Sequence, residues 1–155
     1  MKKLYVMIVL IGILTMSCIC MVGCGDSNDS SFQETAIVDD DLITFTLTEK
    51  CDSPDGVSNT VGYKYVLKNK TDNKHLLVSI RELSKDDYML DAVTLDQTLP
   101  PSKKVEGTIS FITDRNEQIQ SLDDVNNIQG VMKVTSNEDG GSNYRFEEEL
   151  PITLK

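Results

Sequence analysis

The chain has 155 residues, of which 15 are Lys or Arg and 25 are Asp or Glu, giving a formal charge of −10. This acidic balance argues against nucleic-acid binding and against lying flat on anionic lipid, both of which need clustered Lys and Arg. The length suits one domain with short flanking segments.

Lys2 and Lys3 open the chain, and residues 4–22 are almost wholly apolar. A basic start before an apolar run is the pattern of a signal peptide. The alternative is a retained membrane-spanning helix, since the run approaches the roughly 20 residues a bilayer requires. Met21-Val22-Gly23-Cys24 decides between them, because it resembles the lipobox of bacterial lipoproteins. The resemblance implies cleavage before Cys24 by a peptidase whose narrow cleft takes small residues, and a diacylglyceryl group on the Cys24 thiol. Met21 departs from the family's more frequent Leu. Cys18 and Cys20 fit less well, since Cys20 follows bulky Ile19 and Cys18 has polar Thr15 three positions before it. Two or more acyl chains anchor stably, at about 0.8 kcal/mol per buried methylene. The expected location is therefore the extracytoplasmic face of the cell membrane, with the membrane as one partner through the lipid anchor.

Loss of residues 1–23 leaves 13 basic against 25 acidic side chains, a charge of −12 that points to solubility, repulsion from lipid head groups or a basic partner. Only Cys51 then remains beside Cys24, so no intramolecular disulfide can form and stability must come from a core. Cys51 reads as a partly buried small residue at a strand end, or as a thiol open to intermolecular pairing. Residues 24–41 read as a tether, polar over Gly25–Ser31 and closed by Asp39-Asp40-Asp41. A flexible coil of about 16 residues spans roughly 20–25 Å, which keeps the domain close to the membrane. Phe32, Ile37 and Val38 can alternatively form a short first strand.

Over the expected domain, residues 42–155, the pattern turns to period-two alternation, the mark of strands with one buried face. Ile43, Phe45 and Leu47 alternate with threonines, and a loop of turn formers follows over residues 51–56. Val61, Tyr63, Tyr65 and Leu67 line the next strand. Beyond the polar turn 69–74, Leu76, Val78 and Ile80 resume the alternation, and the two strands read as antiparallel neighbours. Asn69-Lys70-Thr71 matches the N-glycosylation pattern, which means little in a bacterial chain. Residues 88–95 supply one or two short strands, and Pro100-Pro101-Ser102 breaks the chain before a strand over 105–112. Ile119, Leu122, Val125 and Ile128 approach helical spacing, so 115–129 reads as a long connection with a helical turn or two. A final hairpin pairs 131–136 with 144–154, and Pro151 requires an edge or a bulge because it has no N–H to donate.

About seven strands with turns at regular intervals predict an all-β fold, an immunoglobulin-like antiparallel β-sandwich. The chain further resembles a family of Gram-positive, Firmicute-type cell-surface lipoproteins with an immunoglobulin-like domain. The resemblance lies in the lipobox and tether, in Tyr65–Asp72, in Leu99–Lys104 leading into Val105–Phe111, and in Val125–Val131. Members often carry Gly after the proline-containing turn, where this chain has Pro101-Ser102. The resemblance implies fold and location and brings no activity with it.

A search for chemistry finds little. His75 is the one histidine, placed at a strand start where solvation is its expected role. No hydrolase, phosphate-loop or zinc-protease motif occurs. Asp86-Asp87, Asp123-Asp124 and Glu147-Glu148-Glu149 contain adjacent carboxylates, but neighbours on a strand face opposite ways. Asp52 with Asp55, and Asp139 with Asn137 and Asn143, are minority calcium candidates without the spacing of a calcium hand. The expectation is no catalytic residue, no metal and no cofactor. The leading function is a non-enzymatic binding module of the cell envelope, with an envelope protein or ligand as partner, reached through the loops Cys51–Asn59 and Asn137–Asn143. The alternative is an inhibitor or immunity-type lipoprotein against a protease or a cationic toxin, for which the acidic charge speaks. An enzyme built on Glu147, Glu148 or Cys51 is the third reading.

Overall fold

The computed structural model describes residues 32–138, 140 and 143–155. They form an all-β unit of two antiparallel sheets. Its strands are β1 (Thr35–Asp39), β2 (Ile43–Asp52), β3 (Thr60–Asn69), β4 (His75–Lys85), β5 (Tyr88–Met89), β6 (Ala92–Val93), β7 (Asp96–Leu99), β8 (Lys104–Ile112), β9 (Ile128–Asn137) and β10 (Arg145–Leu154). One sheet runs β1-β2-β3-β8-β6. The other runs β10-β9-β4-β5, with β7 on the same side of β4 as β5 but against its first half.

The alternation read from the sequence is the one that builds the core. Ile43, Phe45 and Leu47 on β2, Tyr63 and Leu67 on β3, and Leu76, Val78 and Ile80 on β4 are all buried, in one cluster shared by both sheets. The Phe45 and Tyr65 rings meet at 5.5 Å between centroids, within the range where tilted aromatic pairs attract. Gly62 shows why a glycine sits inside a central strand: a Cβ there would lie 1.9 Å from the Ile109 carbonyl oxygen of β8.

Two expectations are corrected. β3 and β4 are not neighbours; β3 pairs with β2 and β8, while β4 belongs to the other sheet. Alternation reports which face a strand buries, and two strands facing each other across a core carry the same pattern as two side by side. The expected tether is also shorter at its C-terminal end, because residues 35–39 pair with β2 as β1. Phe32 packs against Tyr63 with centroids 6.1 Å apart, so the alternative reading of these residues as a first strand is the one observed.

The connection after β8 carries two single-turn 3₁₀ helices, Thr113–Arg115 and Leu122–Asp124, and buries Ile119 and Val125 completely. Tyr63 reaches across to donate its hydroxyl to the Val125 carbonyl. Burial pushes the Tyr63 phenol well above its ordinary range, and does the same to Tyr65, raised to about 12. β10 is an edge strand, which leaves Pro151 free of a ladder donor's duty on its outer side. In the turn before β8, Lys103 N–H donates to the Pro100 carbonyl at 3.3 Å and Ser102 takes φ +58°, a type II arrangement in which Ser fills the position that favours Gly.

Candidate functional site

The two loops expected to form contact surfaces lie at opposite ends of the unit. The loop after β2 meets the start of the β8–β9 connection, where Asn59 Nδ2 donates to Asp114 at 3.0 Å. The β9–β10 connection instead lies beside the turn leading into β4, since His75 pairs with Asn137.

At that second end, Asn69 is the organising residue. Its side chain is fully buried, and Nδ2 donates to the carbonyls of Lys74, Leu99 and Pro100 at 2.8–3.1 Å. Its Oδ1 accepts from the backbone N–H and hydroxyl of Thr71 at 2.9 and 2.8 Å. The apparent glycosylation triplet is thus a structural staple between two turns. Next to it lies a polar cavity of about 290 Å³, lined by Lys74, Ser136, Asn137, Asn143, Arg145 and Glu147 among others. The Ser136 hydroxyl and then the Lys74 ammonium, 3.1 Å away, hold the Glu147 carboxyl below its usual range.

The three consecutive glutamates therefore have three environments. Glu147 is paired, Glu149 is exposed, and Glu148 has a buried Oε1 without a hydrogen-bond partner among the described residues. Asp40 Oδ2 is buried and unpartnered in the same way, while Asp40 Oδ1 accepts the N–H groups of Leu42 and Ile43 at 2.7 and 2.9 Å. Burial, followed by the adjoining Asp40 charge and hydrogen bonding and then by Glu147, holds Glu148 above its ordinary range. These two carboxyls join the turn after β1 to β10, on the side of the unit where those strands touch.

On the other side, the sheets end in β6 and β5, joined by only Leu90 and Asp91. There Tyr88, Met89 and Val93 expose 60%, 68% and 53% of their surfaces, the largest apolar exposure gathered on one short segment of the described residues. Asp86 and Asp87 form the two-residue turn between β4 and β5, with φ of +49° and +68°. Positive φ at both positions is the type I′ hairpin turn, for which Asn-Gly is the favoured pair. Val57 and Phe146, the other exposed large apolar residues described, lie in the loop after β2 and on β10, where Lys133 covers the Phe146 ring at 5.9 Å.

The remaining sequence candidates are dispersed. Cys51 is half-buried near the end of β2, opposite Gly62. His75 is half-buried, with Gly140 against its ring. The Asp55 carboxylate accepts from Val57 N–H and the Thr60 hydroxyl at 3.0 and 3.2 Å, closing its own loop. Asp124 accepts from Gln120 N–H, Ser121 N–H and the Ser121 hydroxyl, capping the second 3₁₀ turn. Among the described residues no three His, Cys, Asp or Glu side chains gather as a metal-binding group. Met21, Val22, Gly23 and Cys24, and Asp139 of the second calcium candidate, lie outside the described residues. No helix among the described residues is long and apolar enough to cross a membrane.

Comparison with protein families, with curated proteins and with solved structures returns no match.

Proposed function

We propose that the chain is a lipid-anchored lipoprotein of the extracytoplasmic membrane face, whose immunoglobulin-like domain is a non-enzymatic binding module. The anchor rests on the sequence: Lys2 and Lys3, the apolar run and Cys24 behind small residues. The immunoglobulin-like reading is supported by strand order. β2-β3-β8-β6 follows A-B-E-D of that fold, and β10-β9-β4-β5 follows G-F-C-C′, with β1 and β7 as additions.

The observation that carries the binding role is the apolar edge of Tyr88, Met89 and Val93 on a two-sheet frame. Large apolar side chains left exposed at the ends of both sheets offer contact surface to a partner laid along this edge. The acidic tip Asp86-Asp87 beside them favours the second reading, an inhibitor or immunity-type lipoprotein facing a cationic toxin or protease.

Intact mass spectrometry of the membrane-fraction protein tests the anchor. The expected mass begins at Cys24 with an added diacylglyceryl group, and Cys24→Ala loses it; an unmodified chain retaining residues 1–23 refutes the anchor. Photo-crosslinkers placed singly at Val57, Tyr88, Val93 and Phe146 in intact envelopes test the module. At least one position gives a discrete adduct, and silence at all four refutes the binding role.

A further inference from the structure

We propose that the anchored domain keeps a fixed end toward the membrane: the end with the loop 53–59 and the connection 113–127 faces the bilayer, its carboxylates hold it off anionic lipid, and the end with the turns 70–74 and 100–103 points away. This inference rests on the anchor reading and extends it to the surface that the membrane meets.

The direction follows from where the chain joins the fold. The ring of Phe32, the first described residue, packs 6.1 Å from that of Tyr63, and the Tyr63 hydroxyl donates to the Val125 carbonyl of the connection. β1 then runs from Thr35, opposite Leu47, to Asp39, opposite Thr44, and so leads away from that end. The chain before Phe32 is therefore attached on the side of the loop 53–59.

Reach fixes the direction. Eight residues lead from Cys24 to Phe32, which span at most about 28 Å when fully extended. Along β3, Asn69 lies six residues beyond Tyr63, about 20 Å at the rise of a strand. The far turns stand beyond Asn69, tied to it through Thr71 and Pro100. Laying that far end on the membrane would use nearly the whole reach and carry the full entropy cost of straightening those residues. A chain that retained residues 1–23 would join the domain at Phe32 too, so the direction does not depend on which anchor holds it.

Charge sets the distance. At the near end Asp52, Asp55, Asp86, Asp114, Glu117 and Asp123 are exposed. The cations there are engaged: Arg115 with Asp91 at 3.0 Å, Lys50 with Asn126 at 3.1 Å, and Lys85 with the Asp124 carbonyl. An anionic surface repels such an end over roughly 10 Å in 0.1 M salt. Lys70, Lys103 and Lys104 are exposed at the far end, where the same surface would attract them if the chain could reach.

The test is energy transfer from a fluorescent residue, placed singly at Val57 or Asn73, to a head-group-labelled lipid. The full chain purified from membranes is reconstituted in phosphatidylcholine vesicles, alone or enriched in phosphatidylglycerol. Val57 should lie nearer the lipid than Asn73 by about 20 Å. Phosphatidylglycerol should move the Val57 probe outward, salt should reverse this, and the exposed-site double variant Asp52→Lys with Glu117→Lys should draw it inward. Inserting about twenty Gly and Ser residues after Ser30, a coil of roughly 25 Å, should shrink the difference between the two probes. Equal transfer from both positions, stronger transfer from Asn73, or a Val57 signal indifferent to phosphatidylglycerol overturns the proposal while leaving the anchor standing. Protein that does not float with the vesicles overturns the anchor and the orientation together.

Discussion

Replacing Glu148 by Gln should stabilise the protein at neutral pH and leave it unchanged in mild acid. Glu148 Oε1 and Asp40 Oδ2 are buried acceptors without a donor among the described residues, so a proton shared between the carboxyls is what satisfies them. The other Asp40 oxygen already accepts the Leu42 and Ile43 N–H groups at 2.7 and 2.9 Å. Burial and then the Asp40 charge raise the Glu148 value in the folded state. A raised folded value stabilises fully below the unfolded value, and that contribution is lost as pH climbs through the folded one. The surrounding charges do not reverse this sign: Glu147 reinforces it, and the nearby Lys70 ammonium is held by the Asp39 carboxylate and the Asp40 carbonyl. Once pH passes the raised Glu148 value, its carboxylate faces the adjoining Asp40 charge, and the amide of the substituted glutamine would supply a donor without repulsion. A hydrogen bond to a charged group contributes about 1.5–3 kcal/mol; Glu148 is half-buried, and water screening brings the expected gain to about 1 kcal/mol. For a domain of this size that corresponds to roughly 3–5 °C in melting temperature. The assay is thermal unfolding of wild type and Glu148→Gln from pH 4 to pH 8, read as a difference. Subtraction cancels the groups with lowered values, Glu147, Asp124, Asp39 and Asp55, whose own stabilisation fades as pH falls through their folded values. A difference that is flat with pH, or a variant less stable than wild type at pH 7, would refute the shared-proton arrangement.

The packing supports further predictions. Gly62→Ala should cost about 3 kcal/mol, since its Cβ would press on the Ile109 carbonyl; urea unfolding measures it, and a loss under about 0.5 kcal/mol would contradict the close approach of β3 to β8. Asn69→Ala should destabilise by about 3–4 kcal/mol, because three carbonyls lose their donor; the same titration reads it, and wild-type stability would mean the two turns hold without the staple. Tyr63→Phe should cost about 1–2 kcal/mol by leaving the Val125 carbonyl unpaired, and hydrogen exchange should quicken first in residues 119–127. Unchanged exchange there would show that the connection does not depend on the Tyr63 hydroxyl.

Legibility in the sequence follows the range of the interaction. The buried faces of β2, β3 and β4 were readable because alternation is a local consequence of the pleat, and Ile43, Tyr63 and Val78 each obey it. Pro151 announced its edge position because a missing N–H is a property of one residue. The partners of β3 were not readable, since the turn 69–74 looks the same whether it folds a hairpin or carries the chain to the other sheet. Asn69 was misleading for a related reason: its acceptors at Leu99 and Pro100 lie about thirty residues away, and nothing near position 69 reports them. Asn116 behaves alike, buried at the other end while exchanging hydrogen bonds with the Asp91 backbone in both directions.

The candidate edge escaped the sequence through its turn chemistry. A hairpin after β4 would have been announced by Asn-Gly, but Asp86-Asp87 in an acidic chain reads as a solvated charge pair. Asp tolerates the left-handed region better than most residues, which lets the turn form without glycine. Positive φ at both positions is imposed by the two-residue connection between β4 and β5 and is announced by no glycine, so the hairpin shows in the backbone and not in the residue types.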